Sequence, residues 1–156
     1  MKVFVSYSFN DGELHLLTLL FEKLRDGGHS IESSSSYYSA YNDDFKIYNS
    51  DLFIGIITND SNSIDSVVNE WKIATQYNVR TILLIEDGVD VNDRSIQHIR
   101  FNRYNPAEAI SQLFGEARES QVKPKDNTLG KVLIGVAVVA GIAALIALLA
   151  GGDKKK

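Results

Sequence analysis

The chain has 156 residues, enough for one domain of ordinary size. It has no cysteine, which excludes a disulfide framework and thiolate-held zinc, and its three histidines, His15, His29 and His98, lack metal-ligand spacing. Residues 1–122 carry 10 Lys/Arg against 18 Asp/Glu, a net of −8, and residues 123–156 carry a net of +4, so the globular part is acidic and does not suit nucleic acid.

Lys2–Tyr7 (KVFVSY) is a short β-rich run and predicts a buried strand. Asp11 is placed to cap a following helix. Leu14, Leu17, Leu20, Phe21 and Leu24 recur at helical spacing, and Gly27-Gly28 ends the helix. His29–Ser33 predicts a second strand. Ser34–Tyr41 (SSSYYSAY) is polar and aromatic without a clean period, and reads as a loop. Leu52–Thr58 (LFIGIIT) is a near-continuous apolar run, as a central parallel strand covered on both faces requires. Ser63 or Asp65 can cap the next helix, with Val67, Val68, Trp71, Ala74 and Thr75 on its buried side. Thr81–Ile85 (TILLI) predicts a further buried strand, and Ile96–Phe101 a weaker edge strand. Asn105-Pro106-Ala107-Glu108 opens a last helix, with Asn as cap and Pro first, running to about Glu119.

Strands alternating with helices predict an α/β class with a five-stranded parallel sheet and helices on both faces, a flavodoxin-like architecture. Sites in such sheets form outside the carboxyl ends of the strands. Tyr7–Asp11 and Asn59–Glu70 both leave strands on that edge, so Glu70 is placed to face a cleft.

The C-terminal part has a different composition. Val132–Ala150 is 19 residues without a charged or polar side chain, bracketed by Lys131 and by Asp153–Lys156. At ~1.5 Å per residue it would span ~28 Å as a helix, close to the thickness of a bilayer core. A membrane span over 131–151 and a basic tail over 152–156 are expected, with residues 119–130, rich in Lys, Asn, Pro and Gly, as a linker after a domain of residues 1–118. The N-terminus becomes polar too early for a signal peptide, which predicts a single-pass membrane protein with its N-terminal domain cytoplasmic. Small residues four apart (Ala137/Gly141, Ala140/Ala144, Ala143/Ala147) allow close helix approach in lipid, though Ala and Gly are common in such helices anyway.

Two chemistries of this topology do not fit. A phosphoacceptor site needs an acidic pair after the first strand and an aspartate ending the third, whereas here these strands end YSFND and IITND. No G-x-G-x-x-G follows a strand, so the dinucleotide turn is missing.

Three stretches together resemble the TIR domain family, in its bacterial, anti-phage-defence form. KVFVSYSFND (2–11) is similar to the family's first motif, IYNSDLFIGIIT (47–58) to its third strand, and SVVNEWKIA (66–74) to the helix carrying its catalytic glutamate. The resemblance covers about residues 2–118. It implies cleavage of the nicotinamide–ribose bond of NAD, as an NADase or ADP-ribosyl cyclase, with NAD as substrate and no resident cofactor or metal. Glu70 matches the catalytic position. Tyr7, Ser8, Phe9, Asn10 and Asp11 match the loop lining the pocket, and Ser66 stands where the family often carries a bulky aromatic. Asp11 has the alternative role of helix cap, and 34–41 that of a plain surface loop rather than the family's gating loop. The resemblance also implies immune signalling switched on by self-association, hence a homo-oligomer held at the membrane. A non-catalytic scaffold, sensor or adaptor at the membrane is the alternative.

The chemistry can be argued without the family. Breaking an N-ribosyl bond builds positive charge on the ribose, which a carboxylate beneath the sugar stabilises. Nicotinamide leaves as a neutral ring, so one glutamate can suffice. Trp71 and Val67, flanking Glu70, could raise its pKa by desolvation.

Overall fold

The structure, a computed structural model, describes residues 1–7, 13–34, 40–59, 61–90 and 96–115. The chain divides into two compact units, Met1–Ile110 and Ser111–Lys156. The first holds the whole sheet; in the second, residues 111–115 are described.

The elements in chain order are β1 (Lys2–Ser6), α1 (Leu14–Asp26), β2 (Ser30–Ser33), α2 (Ala40–Tyr48), β3 (Leu52–Ile57), α3 (Ser61–Gln76), β4 (Arg80–Glu86), β5 (His98–Phe101) and α4 (Ala107–Leu113). All strand pairs are parallel, in the order β2-β1-β3-β4-β5, which is the flavodoxin-like order. The chain moves from β1 outward to β2, then back across β1 to β3 and on to β4. Right-handed crossovers therefore put α1 on one face and α2 with α3 on the other.

The pleat follows that division. Phe4, Phe53, Ile57, Leu83 and Ile85 pack with Ile47 of α2 and with Val67 and Ala74 of α3. Phe4 and Phe53 stack with ring centroids 5.9 Å apart. The alternate residues Val3, Val5, Ile54, Ile56, Ile82 and Leu84 are also buried, and belong to the α1 face, where α1 buries Leu16, Leu17, Leu20 and Leu24. Every residue of β3 is buried, as its unbroken apolar run requires.

Helix ends follow backbone rules. After α1, Gly28 takes φ +71°, its N–H bonds to Arg25 O and the His29 N–H bonds to Leu24 O, closing a Schellman turn. Asn78 (φ 56°) does the same after α3, with Val79 bonding back to Ala74 O.

Several expectations are corrected. The loop expected over Ser34–Tyr41 gives way at Ala40 to α2, a helix that the sequence reading did not assign. This helix exposes Phe45 and Tyr48 and buries Asp43, so no apolar period marked its buried side; Ile47 is its buried apolar anchor. Helix α3 starts at Ser61, ahead of the expected Ser63 or Asp65 caps, and Thr75 is exposed rather than buried, its hydroxyl donating back to Trp71 O. Helix α4 ends at Leu113, short of Glu119, because Gly115 takes φ +71° and donates to Gln112 O. At the N-cap of α1 stands Glu13, which makes no side-chain cap bond; the expected cap, Asp11, lies outside the described residues, as do the linker, the membrane span and the basic tail. Among the described residues no helix is long and apolar enough to cross a membrane.

Candidate active site

Glu70 owes its place to a glycine. Gly55, in the middle of β3, faces α3, and a Cβ built there would lie 2.6 Å from Leu83 Cδ2 and 2.9 Å from Val67 Cγ1. Val67 therefore settles onto bare backbone, and α3 lies closer to the sheet than any side chain at position 55 would permit. Gly55 pairs in register with Ser6 of β1. Glu70 is one helical turn beyond Val67. Helical side chains lean toward the helix N-terminus, which in a returning crossover helix is the carboxyl edge of the sheet. The carboxylate is thus brought over the ends of β1 and β2.

Two serines meet it there. Ser34 Oγ donates to Glu70 Oε2 at 2.8 Å. Ser34 itself is fixed by its N–H bonding Val5 O at 3.2 Å, which extends the β1–β2 ladder by one step and sets Ser34 beside Ser6. Ser6, two residues after Phe4, points to the same face and is 1 % exposed. Its Oγ makes no hydrogen bond in this conformation, although it lies close enough to the Glu70 carboxyl to favour the charged form. From α2 come Asp43, 4 % exposed, and Asp44. Lys46 Nζ donates to Asp43 Oδ1 at 3.1 Å and to Ser33 O at 3.4 Å, tying α2 to the end of β2.

Burial pushes the Glu70 pKa up, and the negative charges of Asp43 and Asp44 add to the rise, while the Ser6 and Ser34 hydroxyls oppose it. The direction agrees with the expectation from sequence, but Trp71 is occupied elsewhere: its indole N–H donates to Thr81 Oγ1 at 3.3 Å. A carboxyl raised in pKa by burial and fixed on one oxygen by a hydroxyl donor is equipped, once ionised, to meet positive charge developing beside it.

A second polar group closes the carboxyl edge beyond β3. The buried Thr58 hydroxyl donates to Glu13 Oε1 at 2.8 Å. Glu86, ending β4, accepts Arg103 Nε at 2.7 Å and Nη2 at 2.8 Å, and its Oε2 also accepts the Asn59 N–H at 3.0 Å. The Arg103 bonds, helped by Asn59, hold the Glu86 carboxyl below the ordinary carboxylate value. This clamp joins the exits of β3 and β4 to the turn after β5.

Of the residues singled out from sequence, Glu70 sits in this cluster. Tyr7, the residue after Ser6, sets its ring edge-on to Phe21 of α1 at 6.3 Å. Ser66 is exposed on α3, one turn before Glu70. Ser8, Phe9, Asn10 and Asp11 lie outside the described residues. Sequence reasoning missed Ser6, Ser34 and Asp43. For Ser6 a signal existed: two residues past Phe4 on an alternating strand puts it on the same face, at the strand end. For Ser34 the resemblance offered 34–41 as a gating loop without singling out the serine, and Asp43 gave no signal, since only the unread α2 brings it in. A surface depression lined by Lys2, Glu32, Phe45, Lys46, Asn49 and Ser50 lies apart from the Glu70 carboxylate.

No protein-family model matches the chain, and no curated protein does. Among solved structures, it is similar to the CMP N-glycosidase BcmB of Clostridium botulinum, at 17 % identity and a TM-score of 0.58, over 75 % of this chain and 100 % of that one. A putative quinone reductase from Klebsiella pneumoniae is similar at 12 % identity and a TM-score of 0.40, over 55 % of this chain and 59 % of that one. CapF, solved with the inhibitor 3-isopropenyl-tropolone, is similar at 12 % identity and a TM-score of 0.44, over 83 % of this chain and 40 % of that one. The likeness to BcmB is one of fold.

Proposed function

We propose that the chain is a nucleotide N-glycosidase of TIR type, with NAD as substrate and Glu70 as its catalytic carboxylate. The observation that carries this is the Glu70 carboxyl itself: half-buried at the carboxyl edge, held on one oxygen by Ser34, and raised in pKa by burial. The likeness in fold to a protein whose name is CMP N-glycosidase supports the reaction class. The three motifs that resemble TIR domains support NAD over CMP.

The electron count also favours NAD. When the C1′–N bond of its nicotinamide riboside breaks, the bonding pair goes to the ring nitrogen. That nitrogen was cationic, so nicotinamide departs neutral and needs no acid. Positive charge is left on the ribose, and ionised Glu70 stabilises it. Water then adds to C1′ and releases a proton, giving ADP-ribose. Cytosine would instead leave as an anion unless it were protonated. The negative surroundings of Glu70, with Asp43 and Asp44 near, favour a cationic ring over an anionic one.

In this reading residues 131–151 anchor the domain in a membrane with the N-terminal part cytoplasmic, and self-association in the membrane plane switches it on in a defence response. The test supplies the full chain in nanodiscs with NAD and, separately, with CMP, and quantifies free base by chromatography. Nicotinamide release without cytosine release is expected. Cytosine release alone would replace the substrate, and no release from either at high surface density would overturn the enzymatic reading.

A further inference from the structure

We propose that Ser6 is a positioning residue for Glu70, the hydroxyl that holds the ionised carboxylate in its working orientation once substrate engages the Ser34 side. The inference rests on the reading of Glu70 as the catalytic carboxylate.

The geometry is specific. Ser6 ends β1, pairs in register with Gly55, and lies beside Ser34 across the β1–β2 ladder. Its hydroxyl is buried at 1 % exposure and unbonded, which an ordinary core position avoids because a buried unpaired hydroxyl is destabilising. The group it faces is Glu70, whose Oε2 is taken by Ser34. Ser34 is half-buried, so a ribose hydroxyl arriving from solvent competes with Ser34 for the carboxylate. When that exchange loosens the Ser34 bond, the donor left on the protein side is Ser6, which a shift of the carboxylate toward it would engage. Ser6 would thereby keep Glu70 ionised and aimed while the sugar acquires charge.

The charged groups around this carboxyl come from each neighbouring element. Asp43 and Asp44 on α2 disfavour its ionisation. Lys46, also on α2, is paired to Asp43. Glu32, two residues before Ser34 on the same face of β2, is exposed to solvent. The facing positions of β1 and β3 are Phe4, Phe53 and Gly55, which do not titrate. Among these groups the two serines favour the charged form.

The experiment compares wild type, Ser6→Ala, Ser6→Cys and Ser34→Ala in the full chain. Two readouts are taken: the acid limb of kcat against pH for nicotinamide release, and the titration of the Glu70 side-chain carboxyl by carbon NMR. Loss of the Ser6 donor should move both upward by about half a pH unit or more, with KM nearly unchanged. Ser6→Cys, close in size but a weak donor, should behave as Ser6→Ala does, and guards against a variant that fails to fold. A lowered melting temperature with an unmoved limb and an unmoved titration would overturn the proposal and leave Ser6 structural. The carboxyl titration needs no turnover, so it tests Ser6 even if the enzymatic reading fails.

Discussion

Glu70 is costly to keep where it is. Burial raises its pKa above the ordinary carboxylate value of 4.5, so the folded state holds the proton more tightly than the unfolded chain does. Between those two values the native state binds more protons, and stability falls as pH rises. Above the raised value the cost is fully present; below 4.5 it vanishes. Glu70→Gln, which keeps shape and removes charge, is therefore expected to raise the melting temperature at neutral pH. That gain should close as pH falls below 4.5, which thermal unfolding across a pH series would check. Under the proposed function, turnover is expected to fall toward acid with a midpoint above 4.5, because the protonated form cannot stabilise a cationic ribose. Glu70 itself was legible, as the acidic residue set between Val67, Val68 and Trp71. Its partners were not, because residues 6, 34 and 43 meet only through strand register and an unanticipated helix.

At the level of elements, the distance between α3 and the sheet decides where Glu70 arrives. Gly55 sets that distance: a methyl there meets Leu83 and Val67 at 2.6 and 2.9 Å. Gly55→Ala is expected to destabilise the fold by about 1–3 kcal/mol, the usual cost of overpacking. Moving α3 outward also withdraws Glu70 from Ser34, so the rate of nicotinamide release should fall by more than the loss of folded protein explains. Urea unfolding and turnover per folded molecule would separate the two effects. The strands were readable because each is a short apolar run, with β3 buried throughout. Helix α2 was not, since its burial rests on Ile47 and on Asp43, a charged residue that no apolar period predicts.

At the carboxyl edge of the sheet, Glu70 and Glu86 are acidic groups of opposite character. Glu70 is raised in pKa and suited to chemistry; Glu86 is lowered and tied to Arg103 and Asn59. For Glu86 the linkage runs the other way. Its contribution to stability is complete above 4.5 and is lost as pH falls through its lowered native value. Arg103→Ala should therefore lower stability at neutral pH by about 1–2 kcal/mol, the range for charged hydrogen bonds to a partly exposed partner, and the difference should shrink in acid. Guanidinium unfolding at pH 7 and pH 3.5 would check both parts. The α/β class, the parallel sheet and the site's edge followed from strand–helix alternation, whereas this clamp joins residues 59, 86 and 103, which no local pattern links.

The central claim, that Glu70 performs the bond cleavage, is tested most directly by comparing nicotinamide release from NAD by the full chain and by Glu70→Gln. Both are measured at equal surface density in nanodiscs, with folding matched by thermal unfolding and Gln76→Ala, exposed at the far end of α3, as the control. A loss of at least about 100-fold in the Glu70 variant, with the control near wild type, is the predicted result. Equal turnover in Glu70→Gln and wild type would contradict it.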